Sequence, residues 1–144
     1  MARIQIQILI DDSCRLNPQD AGGMIVVRQG ESEARTDYLL VDYWLMQLID
    51  GLNQGKKKAL GLLGDGNSET WIDFAEDRTS VKIHLAGPMV LIEMGEASFK
   101  TNIAELEIEL RKAAKEFVEN YRGGENYDVI PSFRVIENFV TGET

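Results

Sequence analysis

The chain has a single cysteine, Cys14, and a single histidine, His84, in 144 residues. One cysteine excludes an internal disulfide and a thiolate zinc cluster. One imidazole leaves a catalytic zinc short of its usual ligands and gives a catalytic triad only one candidate base. Long apolar runs are missing, and none approaches the roughly 18 residues of a membrane-spanning helix. Residues 1–12 alternate apolar and polar side chains and reach Asp11 and Asp12, so no signal peptide is expected. Positive charge is scarce: 15 Lys and Arg face 24 Asp and Glu, for a formal net charge of −9. That balance is unfavourable for docking on phosphate backbones. The expectation is a cytoplasmic protein with no nucleic-acid partner, no membrane and no cofactor.

What is present is the material of a folded domain. Hydrophobic residues make up 44% and charged residues 27%, as in globular chains, and one domain over 1–144 is expected. Residues 3–10 place Ile4, Ile6, Ile8 and Ile10 on one face of a strand, 24–28 form a second strand after the turn chemistry of 17–23, and 29–35 follow as a polar loop. Residues 37–54 read as a helix with Thr36 as N-cap and Asp37 in the first turn. At 100° per residue its buried half holds Tyr38, Leu40, Val41, Trp44, Leu45, Leu48, Ile49 and Leu52. Residues 70–86 read as a hairpin turning at Asp77-Arg78. This sets Phe74 opposite Val81 and Ile72 opposite Ile83 in the core, with Asp73 opposite Lys82 and Trp71 opposite His84 on the other face. Gly87-Pro88 turns into a strand over 89–94. A second helix over 102–121 starts on Asn102 and Glu105 and stops at Gly123-Gly124. The apolar tail 127–140 reads as a last strand pair or an extended cover, with Pro131 opposing a central strand. The order β-β-α-β-β-β-α predicts an α+β fold: an antiparallel sheet of five to six strands with two main helices on one face.

The stretch Gly51 to Lys58, GLNQGKKK, has the look of a phosphate-binding loop. Its glycines are separated by three residues rather than four, Lys57 stands where Ser or Thr would hold magnesium, and it ends a helix. A helix C-terminus repels phosphate and attracts lysine. Lys56, Lys57 and Lys58 are therefore read as dipole partners, with Gly55 as a left-handed stop. His84 reads as a cross-strand packing partner of Trp71, Cys14 as a loop residue, and Asp11-Asp12 as solvated strand-end carboxylates. Residues 64–69, GDGNSE, lack the spacing of a calcium loop. No metal site is expected.

Surface character is the stronger signal. Leu39, Tyr43 and Met46 fall on one stripe of the first helix in its polar half, and Trp71 sits among acidic neighbours. Apolar anchors rimmed by carboxylates suit a basic protein partner. The expected contacts are Leu39, Tyr43, Met46 and Trp71 as anchors, with Asp42, Asp50, Glu69, Asp73 and Glu93 as rim charges. The opposing reading is that the C-terminal tail covers one of these patches.

The strand pair, the helix TDYLLVDYWLMQLIDGLNQG, the strand block ETWIDFAEDRTSVKIHL and the long closing helix together resemble small acidic bacterial immunity proteins. These neutralise polymorphic or contact-dependent inhibition toxins, many of them basic nucleases. The resemblance implies a non-enzymatic inhibitor that binds a basic toxin domain in stoichiometric amount as a monomer or weak homodimer; it supplies no site residue. Two alternatives stand beside it. One is a small enzyme or ligand-binding protein working through carboxylates, with His84 as proton carrier beside Glu69, Asp73 or Glu93. The other is a structural homodimer that hides its apolar stripe.

Overall fold

The computed structural model describes residues 3–10, 22–36, 39–59, 69–74, 81–121 and 130–142, with the backbone alone described at 39, 58–59 and 69–74. In order, these form strands β1 (Ile4–Ile10), β2 (Gly22–Gln29), β3 (Ser32–Arg35) and β4 (Leu39–Leu40), then helix α1 (Val41–Ala59). Strands β5 (Glu69–Phe74), β6 (Val81–Ala86), β7 (Met89–Met94) and β8 (Ala97–Asn102) follow, and helices α2 (Ile103–Tyr121) and α3 (Pro131–Thr141) close the chain. The fold is α+β. Two antiparallel sheets replace the expected single sheet: β1-β2-β3 with β4 pairing the start of β2, and β5-β6-β7-β8. Three helices replace the expected two.

Alternation dictates the strands. Ile4, Ile6 and Ile8 are buried while Gln5 and Gln7 are exposed. In the second sheet Val81, Ile83, Leu85, Val90, Ile92, Met94 and Phe99 line the inner face. The β5–β6 register is the one the sequence pattern predicts, with Phe74 opposite Val81, Asp73 opposite Lys82, Ile72 opposite Ile83 and Trp71 opposite His84. The turn at Asp77-Arg78 lies outside the described residues. Gly87, at φ 59°, reverses the chain between β6 and β7 in the left-handed region that glycine enters without strain.

Four sequence expectations are corrected. Residues 29–35, expected as a polar loop, carry the β2–β3 hairpin. Thr36 does not cap a helix; its N–H donates to the Ile25 carbonyl at 3.0 Å and its hydroxyl accepts the Ile25 N–H at 2.9 Å, prolonging that hairpin. Helix α1 therefore starts at Val41 and runs through Gly55, which is not a left-handed stop. A Cβ there would sit 3.0 Å from Leu85 Cδ2, so the glycine lets α1 lie close on β6. The tail is neither strand nor extended cover: Pro131 opens α3, a position where its missing N–H costs nothing.

The three helices cover the inner faces. Helix α1 packs on β5 and β6, α2 on β1, β7 and β8, and α3 on both other helices. The buried residues of both sheets and all three helices form one contiguous core. Phe117, Tyr121 and Phe133 meet at its helical end, with ring centroids 4.7, 4.9 and 5.6 Å apart. Where the two sheets approach, the Gln29 carboxamide behaves as a short strand. Its Nε2 donates to the Lys100 carbonyl at 2.7 Å and its Oε1 accepts the Lys100 N–H at 3.4 Å.

Candidate partner-binding surface

Helix α1 owes its two-sidedness to spacing. Val41, Trp44, Leu45, Leu48, Ile49 and Leu52 are buried against the sheets and neighbouring helices. The opposite line is Tyr43, Gln47, Asp50, Gln54 and Lys57, at i, i+4, i+7, i+11 and i+14, so these residues share one face. Along it Tyr43, Asp50, Gln54 and Lys57 are exposed and Gln47 is half-buried. Tyr43 keeps 45% of its surface and Leu40, at the strand–helix junction, keeps 53%. Leu40 had been expected in the core; because the helix begins at Val41, Leu40 lies in β4 and escapes burial. Leu39 likewise belongs to β4 rather than to the helical stripe.

Asp42 has a structural partner. Its Oδ2 accepts a 2.6 Å hydrogen bond from Ser132 Oγ, tying the first turn of α1 to the first turn of α3. A carboxylate there also suits the positive end of the α1 dipole. Met46 is half-buried and Asp50 exposed. Helix α3 packs against α1 while Tyr43 and Asp50 keep their exposure.

The remaining expected contacts lie elsewhere. Glu93 is exposed on β7, with Lys82 and Ser98 as its cross-strand neighbours. Lys82, His84, Leu91, Glu93 and Lys100 alternate with the buried residues of their strands, which places them on the face turned away from the helices. Glu69, Trp71 and Asp73 hold their register positions on β5. Of the residues with described side chains, the structure brings Asp42, Tyr43, Met46 and Asp50 together on α1 and sets Glu93 on the far side of a sheet from them. Cys14, Asp11, Asp12 and residues 64–68 lie outside the described residues. Among the described residues no cluster of His, Cys, Asp and Glu is arranged to hold a metal ion, and no helix is long and apolar enough to cross a membrane.

A linked set of charges holds the helices where they are. Lys56 Nζ lies 2.9 Å from Glu107 Oε1, joining α1 to α2. Arg111 contacts the same Glu107 oxygen at 3.4 Å, donates to the Phe139 carbonyl and stacks 4.4 Å above the Phe139 ring. That carbonyl belongs to the end of α3, where a cation opposes the negative end of the helix. The Lys56 hydrogen bond holds the Glu107 carboxyl below its ordinary 4.5; partial burial opposes this, and the charges of Lys56 and Arg111 reinforce it. A carboxyl depressed on folding stabilises the protein above its unfolded pKa and ceases to do so as pH falls through the folded value. Replacing Lys56 by Ala should therefore lower stability at neutral pH by about 0.5 kcal/mol, the scale of a largely exposed pair. Urea midpoints of the two proteins should converge as the pH drops below the carboxylate range.

An open pocket of about 550 Å³ adjoins this bridge, lined by Lys56, Pro88, Asn102, Ile103 and Glu107 among others. Its floor is the start of α2, where Asn102 Oδ1 accepts the Glu105 N–H at 2.9 Å and the Pro88 carbonyl accepts the Ile103 N–H. The first-turn donors named here are thus satisfied within the chain.

A contrasting patch occupies the outer face of the first sheet. Glu33 bridges Arg28 at 3.3 Å and Arg35 at 3.1 Å, and Arg28 also donates to Gln7. Arginine hydrogen bonds hold Glu33 below its ordinary value. This face is cationic within an acidic chain and offers nothing to a basic partner.

No protein-family model, no curated protein and no solved structure matches this chain.

Proposed function

We propose that the chain is a non-enzymatic protein-binding module that engages a basic partner through the exposed side of α1, most concretely an immunity protein that neutralises a basic toxin domain by stoichiometric binding. The observation that carries the reading is Tyr43, 45% exposed on the same helical line as Asp50, in a chain of net charge −9. An aromatic ring gives a partner area to bury, and a nearby carboxylate answers its cation. The excess of negative charge supplies the long-range field that speeds encounter with a basic protein. This reading carries with it a cytoplasmic setting and a monomer or loose dimer.

The test is affinity capture at low salt from a lysate of the source organism, followed by mass spectrometry. The expected result is one basic protein retained in near-equal amount and released by salt. A column that retains only acidic proteins, or a small molecule without protein, would contradict it.

A further inference from the structure

The uncovered line on α1 is long, straight and graded in charge. From Tyr43 to Lys57 it covers 15 residues, a rise of about 21 Å at 1.5 Å per residue. Its N-terminal end is apolar, with Leu40 53% and Tyr43 45% exposed three residues apart in the chain. Its middle carries Asp50 between two glutamines, and its far end carries exposed Lys57. Lys56 is already committed to Glu107 at 2.9 Å. Along the helix negative charge therefore precedes positive: Asp42 at its start, Asp50 at the middle of the line and Lys57 at the far end.

We infer that Leu40 and Tyr43 are the apolar anchors and Asp50 the counter-charge of a docking strip that receives a basic amphipathic helix, its apolar residues against Leu40 and Tyr43 and its cation against Asp50. This rests on the reading of the chain as an acidic binding module and adds the place and the form of the partner. A helix fits because the strip is itself a helical face with neighbours at i, i+4 and i+7, the geometry that a second helix packs along. A basic helix fits because the two carboxylates of this side of α1 come before its exposed lysine: Asp42 at the start of the helix and Asp50 two turns beyond Tyr43. Asp42 is fixed by Ser132 at 2.6 Å and contributes its field without leaving that bond. The outer face of β6–β8 alternates in sign, with Glu93 between Lys82 and Ser98 and Lys100 one strand over, and offers no helical groove line of this kind. The arginine face of the first sheet would repel the same partner.

The experiment uses the full chain, labelled with ¹⁵N, titrated at low salt with a synthetic amphipathic helix of leucine and lysine, about five turns long. Amide shifts should move at Leu40, Tyr43, Gln47, Asp50 and Gln54. Leu40→Ser and Tyr43→Ala should each weaken binding about tenfold, the scale of an interface anchor. Asp50→Lys should weaken binding and flatten its salt dependence. These side chains are exposed, so unchanged amide spectra in the absence of peptide will show that the variants are folded. Shifts confined to β6–β8, or unchanged affinity in the Tyr43 and Leu40 variants, overturn the docking strip while leaving an acidic binding module standing. No binding of the peptide anywhere on the chain overturns both.

Discussion

Gly23→Ala should destabilise the protein by about 3 kcal/mol or more, because the added methyl has nowhere to go. Gly23 lies in β2 between two partners, opposite Ile10 of β1 and Leu39 of β4. A Cβ built there would stand 2.2 Å from the Leu9 carbonyl oxygen, 3.1 Å from its carbon and 3.2 Å from Ile10 Cα. All three are backbone atoms. Relief therefore requires β1 to move off β2, and the ladder between them holds the strand that α2 covers. Gly87→Ala is the informative companion. There the new methyl meets nothing within 4 Å, and only the φ of 59° is unfavourable, so about 1 kcal/mol is expected. Urea unfolding of both variants separates crowding from backbone conformation. A Gly23→Ala loss no greater than that of Gly87→Ala would show that the close approach is not what the residue serves.

Phe133→Ala should cost about 4 kcal/mol, in the range for an aromatic ring removed from a closed core. Phe133 is fully buried, with its ring 4.9 Å from Phe117 and 5.6 Å from Tyr121. It is the first large side chain of α3, and polar contacts tie that helix down at both ends: Ser132 to Asp42, and Phe139 to Arg111. Without the ring, Ile136 and Phe139 are the buried aliphatic and aromatic groups of α3 left in the core. Near-ultraviolet dichroism, which reports aromatic packing, should fall more than far-ultraviolet dichroism. Retention of both signals and of the unfolding midpoint would mean that α3 is peripheral to stability.

The β5–β6 register was legible because Ile72, Phe74, Val81 and Ile83 alternate with polar residues, and alternation fixes faces. Asn102 and Glu105 announced the start of α2, and Asn102 does accept the Glu105 N–H. Strand β8 was not seen, because its buried positions are Ala97, Phe99 and Thr101, of which only Phe99 is strongly apolar. Helix α3 was not seen because Val129, Ile130, Val135 and Ile136 look like strand pairs around Pro131. The spacing Phe133, Ile136, Phe139 was the helical signal available. On the candidate surface, Tyr43 and Asp50 followed from turning the sequence at 100° per residue. Leu40 did not, because its exposure depends on where the helix starts, and that is decided by Thr36 bonding to Ile25 far back in the chain. Asp42 offered no warning that it would meet Ser132, 90 residues away. Charge reversal at Asp42 would therefore confound folding with binding, whereas reversal at Asp50 reports on the surface alone.

The central claim is that the exposed side of α1 carrying Tyr43 and Asp50 receives a basic partner. The most direct test is the association rate of wild-type and Asp50→Lys protein with the captured partner, measured as ionic strength rises from about 0.01 to about 0.15 M, over which the screening length contracts roughly from 30 to 8 Å. The account predicts a wild-type rate that falls steeply with salt and an Asp50→Lys rate that is slower at low salt and flatter throughout. Equal rates for the two proteins at every ionic strength would contradict it.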